Sequence, residues 1–263
     1  MNLHNKTVFI TDADSGSGSA VIRRLAEEGA RFILNSRSGG EKLADELSLI
    51  REAGSQAIVV SVNPSVSAEV AEMLQFAEQQ LGPVDILIHN DNEVLQASVE
   101  SCSEEAFWDC LSRNAKSAFV CTQAVGRQMV RQQSGSIIYV SSIHAEKPTG
   151  SSFAYSASKG AVKMLAKEAA LVLGRSGVRV NTIELGPVQG DDKRFKSSFS
   201  TLYHDYEYKV PNAVLGSIED LAGLVHFLAS DDSAYVNGAD IRLDGGFLLH
   251  YMNFKMKRPQ SGR

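Results

Sequence analysis

Thr7-Val8-Phe9-Ile10-Thr11-Asp12-Ala13-Asp14-Ser15-Gly16-Ser17-Gly18 is the stretch on which the fold turns. Its first four residues read as a strand buried on both faces, because the run shows no alternation with strongly polar side chains. The next eight are small or turn-forming, and from about Ala20 to Glu28 apolar positions recur with helical period. Strand, glycine-bearing turn and helix in that order predict the opening of a βαβ unit. Small residues in such a turn let the backbone approach a pyrophosphate, while the helix N-terminus offers oriented N–H donors and a favourable dipole. Thr11, Asp14, Ser15, Gly16, Ser17 and Gly18 are therefore candidate cofactor-binding positions. Glycine-rich turns between strand and helix also arise for steric reasons alone.

The same alternation continues outward. Strand-length apolar runs at 31–34, 57–60, 84–88, 136–140, 178–183 and 239–243 are separated by segments of helical period, including 41–53 and a helix through Val70, Leu74 and Ala77. This predicts one α/β domain over residues 1–263. It is a doubly wound, Rossmann-like parallel sheet of about seven strands with helices on both faces. No linker and no repeat divides the chain. Between Val188 and Leu215 no strand is expected, and Phe195, Phe199, Tyr203, Tyr206 and Tyr208 crowd the interval. A connection this long reads as a lid or substrate-loop insertion. Its aromatics either line an apolar pocket or fasten the insertion to the body.

Composition narrows the classes. Hydrophobic residues make up 43% and charged residues 22% of the 263, which is ordinary for a globular chain. No apolar run approaches bilayer-spanning length, so no membrane partner is expected. A net charge of −5 argues against nucleic acid, and Lys255, Lys257, Arg258 and Arg263 read as a solvated basic tail. The N-terminus runs into the first strand without a signal-peptide pattern, which predicts a cytoplasmic protein. Cys102, Cys110 and Cys121 show no CxxC spacing, so neither a metal site nor a disulfide framework is expected.

Two local patterns carry chemistry. The end of strand two reads Asn35-Ser36-Arg37-Ser38, without the acid that would bind the adenosine-ribose hydroxyls of NAD. The Arg37 guanidinium suits a 2′-phosphate, with Ser36 and Ser38 as further donors, so NADP(H) is the expected cofactor; the alternative is that Arg37 is a solvated loop residue. Farther on, Tyr155-Ser156-Ala157-Ser158-Lys159 places Tyr155 and Lys159 on one helical face. An ammonium beside a phenol favours the phenolate, which suits proton transfer to or from a carbonyl or alcohol oxygen. Ser142, just past strand five, stands where a hydroxyl can share that oxygen. His144 and Glu184 are further polar residues near such a pocket.

Taken in order, these motifs resemble the compact, single-domain branch of the short-chain dehydrogenase/reductase family, with its 3-oxoacyl reductase and glucose dehydrogenase-like members. The resemblance covers the Thr11–Gly18 turn, Asn90, Asn114, Ser141-Ser142 and Tyr155-x-x-x-Lys159. It continues through Asn181-x-x-x-Leu185-Gly186 and Asp244-Gly245-Gly246. It implies Tyr155 as general acid/base, Lys159 as its activator and ribose ligand, Ser142 as substrate orienter, and Asn114 as holder of a relay water. It also implies cofactor contacts at Asn63, Asn90, Gly186 and Val188, a small-molecule ketone or alcohol substrate, and a homotetramer or homodimer. The apolar end, with Phe247-Leu248-Leu249, Tyr251, Met252 and Phe254, suits either such an interface or core packing.

The departures from the family pattern sit in the cofactor half. Asp12 stands at the first glycine of the turn, Asn63-Pro64 follows strand three, and Asp91-Asn92 replaces Ala-Gly after Asn90. Leu185 replaces a proline and Gly190 a threonine. Asp12 substitutes poorly for glycine if the turn needs positive φ, either acid of the turn repels a pyrophosphate if it points inward, and Pro64 has no N–H to offer adenine. Two alternatives to a ketone reductase follow. One is a non-redox, dehalogenase-like or lyase-like enzyme on the same scaffold; the other is a non-catalytic dinucleotide-binding protein.

Overall fold

The computed structural model describes residues 3–189, 210–212 and 214–249. Strand β1 (Thr7–Ile10) leads through the turn into helix α1 (Gly16–Ala26). Then follow β2 (Arg31–Asn35), α2 (Ala44–Glu52), β3 (Ala57–Val60), α3 (Ser67–Leu81) and β4 (Ile86–His89). Helices α4 (Glu104–Leu111) and α5 (Ser117–Gln132) are joined by a π-helical turn at Ser112–Lys116. The chain continues as β5 (Gly135–Ser142), α6 (Phe153–Leu173), β6 (Val178–Leu185), β7 (Val188–Gln189), β8 (Gly216–Ser217), α7 (Ile218–Ala229) and β9 (Asp240–Leu243).

Seven of these strands form one sheet in the order β3-β2-β1-β4-β5-β6-β9, and every pairing is parallel. This is the doubly wound sheet expected from the sequence. Side-chain alternation splits the core into two layers. Val8, Ile10, Phe32 and Leu34 face α1 and α7, meeting Val21, Leu25, Leu221 and Val225. Phe9, Ile33 and Leu87 face the other way, onto Val70, Leu74 and Val125. The strand order reverses between β1 and β4, and ligands of such sheets bind beyond the strand C-termini at that point.

Boundaries moved where side chains intervene. Strand four starts at Ile86 rather than Val84, whose N–H donates to Gln128 Oε1 at 3.1 Å. Strands five and six run on to Ser142 and Leu185, carrying site residues on regular sheet rather than on loops. The interval expected to hold no strand contains β7, which pairs with β8 in a separate two-stranded ladder. Most of the expected lid, with all five of its aromatics, lies outside the described residues, as do Tyr251, Met252, Phe254 and the basic tail.

Candidate active site

The first turn is held from outside. The Asn90 side chain accepts from Asp12 N (2.8 Å) and donates to Asp12 O (2.8 Å) and Ser15 Oγ (3.1 Å). The Asn90 N–H donates to Thr11 Oγ1 at 3.1 Å, and Asn35 Nδ2 donates to Thr11 O at 2.9 Å. Ser15 caps α1 by accepting from Gly18 N at 3.0 Å. Gly18 is required by space, because a Cβ there would sit 2.4 Å from Asp12 O. Asp12 does not take positive φ; among the described non-glycine residues only Asn5 and Gln133 do. The strain expected at Asp12 is therefore absent. A half-buried, amide-stapled turn opening onto a helix N-terminus fits the pyrophosphate of a dinucleotide.

Beside the turn, Asp14 points toward β2. Its carboxylate accepts from Ser36 Oγ (2.7 Å), Ser38 N (2.8 Å) and Ser38 Oγ (2.9 Å). Burial opposes its charge, but these bonds and the Lys42 ammonium hold its carboxyl below the usual value. Arg37 leans the other way, its Nη2 3.7 Å from Asp91 Oδ1. Asn63 turns inward on its own loop, accepting from Ser65 N at 3.0 Å and Ser65 Oγ at 2.8 Å.

From this turn a cavity of about 420 Å³ runs across the C-terminal ends of β4, β5 and β6. Its wall carries Ser17, Asn90, Ser142, Tyr155, Gly186 and Val188, all six expected from the sequence. Ser142 Oγ accepts from His144 N at 3.3 Å. Lys159 is buried, with its Nζ donating to Asp91 O at 3.0 Å and lying 5.6 Å from the Tyr155 ring centroid. The one-face placement of Tyr155 and Lys159 thus holds. Gly186 is sterically obligatory, since a Cβ would lie 2.6 Å from the Asp244 side chain.

Asn114 is placed differently. It occupies the π turn, a local widening often found at functional sites. Its side chain is taken up by the Glu93 backbone (2.8 and 2.9 Å) and Ser158 Oγ (3.0 Å), not by the cavity. Glu184 also leaves the site: it is fully buried and bound by Lys163 Nζ at 2.7 Å. His144 does reach the cavity, packing edge-on against Tyr155 at 5.3 Å, and burial lowers its pKa.

Several site residues lay beyond the sequence reasoning. The Tyr155 hydroxyl donates to Asn92 Oδ1 at 2.9 Å, so the residue standing at the family's glycine meets the phenol directly. The only signal for this was the departure itself. Ser141 Oγ is buried beside the cavity with no hydrogen-bond partner among the described residues, and Phe247 closes one side. Asp91 is buried against His89, Oδ2 to Nε2 3.4 Å. Burial pushes the Asp91 carboxyl up to about 7, with Asp12 adding to the rise and Thr11, Arg37 and Lys159 opposing it. Burial and the Lys159 charge push His89 down to about 3.

A parallel sheet with a strand–turn–helix unit at its switch point, and a cavity there with Ser142 and Tyr155 on its wall, is an arrangement that suits a nicotinamide dinucleotide. The comparisons agree. Residues 12–248 match the family model described as enoyl-(acyl carrier protein) reductase. The chain is 31% identical to 3-oxoacyl-(acyl-carrier-protein) reductase FabG of Staphylococcus epidermidis, over 93% of this chain and 100% of that protein. It superposes on the crystal structure of levodione reductase with a TM-score of 0.88 at 26% identity, covering 95% and 100% of the two chains. It superposes on a gluconate 5-dehydrogenase from Burkholderia cenocepacia in complex with NADP and tartrate with a TM-score of 0.87 at 27% identity, covering 95% and 98%. The chain belongs to the short-chain dehydrogenase/reductase family.

Proposed function

We propose that this chain is an NADP(H)-dependent oxidoreductase that interconverts a ketone and a secondary alcohol. The observation that carries the reading is a single cavity with the dinucleotide turn at one end and Ser142 and Tyr155 on its wall. Thr11, Ser15, Ser17, Asn90, Gly186 and Val188 would hold a nicotinamide dinucleotide, which would supply or accept the hydride. Ser142 Oγ orients the substrate oxygen. The Tyr155 hydroxyl gives that oxygen a proton in reduction and takes it back in oxidation. Lys159, its ammonium buried behind the ring, stabilises the phenolate left by reduction and offers donors to the nicotinamide ribose. Proton return to bulk passes through a water at the π turn that shares the Asn114 main-chain carbonyl with Ser117 Oγ (3.3 Å), the Asn114 amide being engaged by the Glu93 backbone.

NADP(H) rather than NAD(H) is favoured by Arg37, the cation at the end of β2, and one relative was solved with NADP. Titration of the purified protein should give saturable binding with NADPH tighter than NADH. Arg37→Ala should weaken NADPH roughly tenfold or more and change NADH little. Equal loss of both would show that Arg37 does not read the 2′-phosphate, and no binding to either would remove the redox reading.

The same proposal places the enzyme in the cytoplasm as a homodimer or homotetramer. Supporting the assembly, α5 and α6 expose Phe119 and Val172 around an apolar groove. No helix among the described residues is long and apolar enough to cross a membrane. Light scattering of the purified protein should return two or four chains, and a monomer at micromolar concentration would refute the assembly.

A further inference from the structure

The loop after β2 carries opposite charges where the adenosine ribose of a dinucleotide lies in folds of this kind. Arg37, about half exposed, can reach a phosphate there. Asp14 enters the same loop from the β1 side and already occupies the donors a phosphate would want: Ser36 Oγ, Ser38 N and Ser38 Oγ, all within 2.9 Å. The loop is drawn tight around these contacts. Gly40 N donates to Ser36 Oγ at 2.8 Å, and Lys42 N to Ser38 Oγ at 3.3 Å. Arg37 in turn is drawn by Asp91, a second acid, on its other side.

A carboxylate here has chemical consequences for the ligand. A carboxylate accepts and does not donate, and its two oxygens have room for more than three partners. Ribose hydroxyls can donate to it; a 2′-phosphate, itself anionic, meets like charge and finds the serine donors engaged. We infer that Asp14 is a cofactor-specificity residue opposing Arg37: it accepts from the free ribose hydroxyls of NAD(H) and disfavours the 2′-phosphate of NADP(H). The acid missing from the end of β2 is thus supplied from the preceding turn, and the chain accepts both cofactors with a muted preference. This inference rests on the dinucleotide reading proposed above.

The test is calorimetric titration of wild type, Asp14→Ser and Asp14→Asn with NADPH and with NADH, each protein first shown to be folded by its melting transition. Serine frees the loop donors, and asparagine keeps the length while removing the charge. In both variants NADPH should bind roughly tenfold tighter and NADH no better than before. A ratio of the two affinities unchanged in both folded variants would overturn the inference while leaving dinucleotide binding intact. Weaker NADPH binding in both would also overturn it, showing that Asp14 arranges Ser36 and Ser38 for the phosphate. If wild type binds neither dinucleotide, the inference falls together with the reading beneath it. Should Asp14→Ser fail to fold, Asp14→Asn decides alone.

Discussion

Tyr155→Phe should reduce carbonyl reduction by roughly 10²- to 10⁴-fold while leaving dinucleotide affinity nearly unchanged, because only the proton donor is removed. The ring stays: it packs on His144 at 5.3 Å and beneath the Lys159 ammonium, and neither contact uses the hydroxyl. Lys159 keeps its bond to Asp91 O, so the cofactor end of the site is undisturbed. The hydrogen bond to Asn92 Oδ1 is lost. The measurement is steady-state reduction of a ketone found by screening the wild type, beside an NADPH titration of both proteins. Activity within tenfold of wild type would show that the phenol is not the acid. Loss of NADPH binding in parallel would show that the substitution had damaged the site instead.

The second large effect is on stability. Asp91→Asn should raise the melting temperature at pH 8, with the gain shrinking as pH falls from about 7 toward 4. The sign follows from the direction of the shift. Burial raises the folded-state value to about 7 from 3.8, so the native state resists the charge that the unfolded chain carries freely above pH 4. Native Asp91 is thus destabilising above pH 7 and is relieved by protonation below it. Those roughly three units set a ceiling of about 4 kcal/mol on the gain, and each kcal/mol is worth about 2–4 °C in a chain of this size. His89 acts in the opposite sense. Its folded value of about 3 lies below 6.5, so stability is lost as pH falls through that window. In wild type the two slopes oppose each other between about pH 4 and 6.5, and Asp91→Asn should remove the opposing one, leaving the loss below pH 6.5 to which His89, His144 and His226 contribute. Calorimetric melts at pH 8, 6 and 4.5 read both proteins. A variant less stable than wild type at pH 8 would show that Arg37 and Lys159 already hold Asp91 as a stabilising carboxylate.

The sheet was legible because its strands announce themselves as apolar runs, fully buried in β1 and half-buried in the edge strand β3: 7–10 and 57–60 agree with the structure to the residue. Tyr155 and Lys159 were legible because helical spacing alone puts them on one face, and Ser142 because it ends a strand beside them. What the sequence did not reveal is side-chain direction across long separations. Nothing local says that Asp14 turns toward Ser38, 24 residues on, or that Asn92 meets a phenol 63 residues away. Asn114 shows the reverse problem. The sequence offers it as the holder of a water, yet its amide is drawn off by the Glu93 backbone, a contact made by a loop with no periodicity to read.

The amide of Asn90 has a consequence for which substitutions the first turn can bear. In a turn shaped by glycine at its first position, that position is fixed, because any side chain would alter the backbone path. Here the backbone of Asp12 is clasped from across the sheet by one asparagine, and its φ is one that any residue adopts. Part of the turn's shape is thus held by a residue 78 positions away. A side chain at position 12 therefore costs the backbone path nothing, whereas at Asn90 a change of a single group, amide to carboxylate, removes the donor of two of these bonds and should loosen the turn.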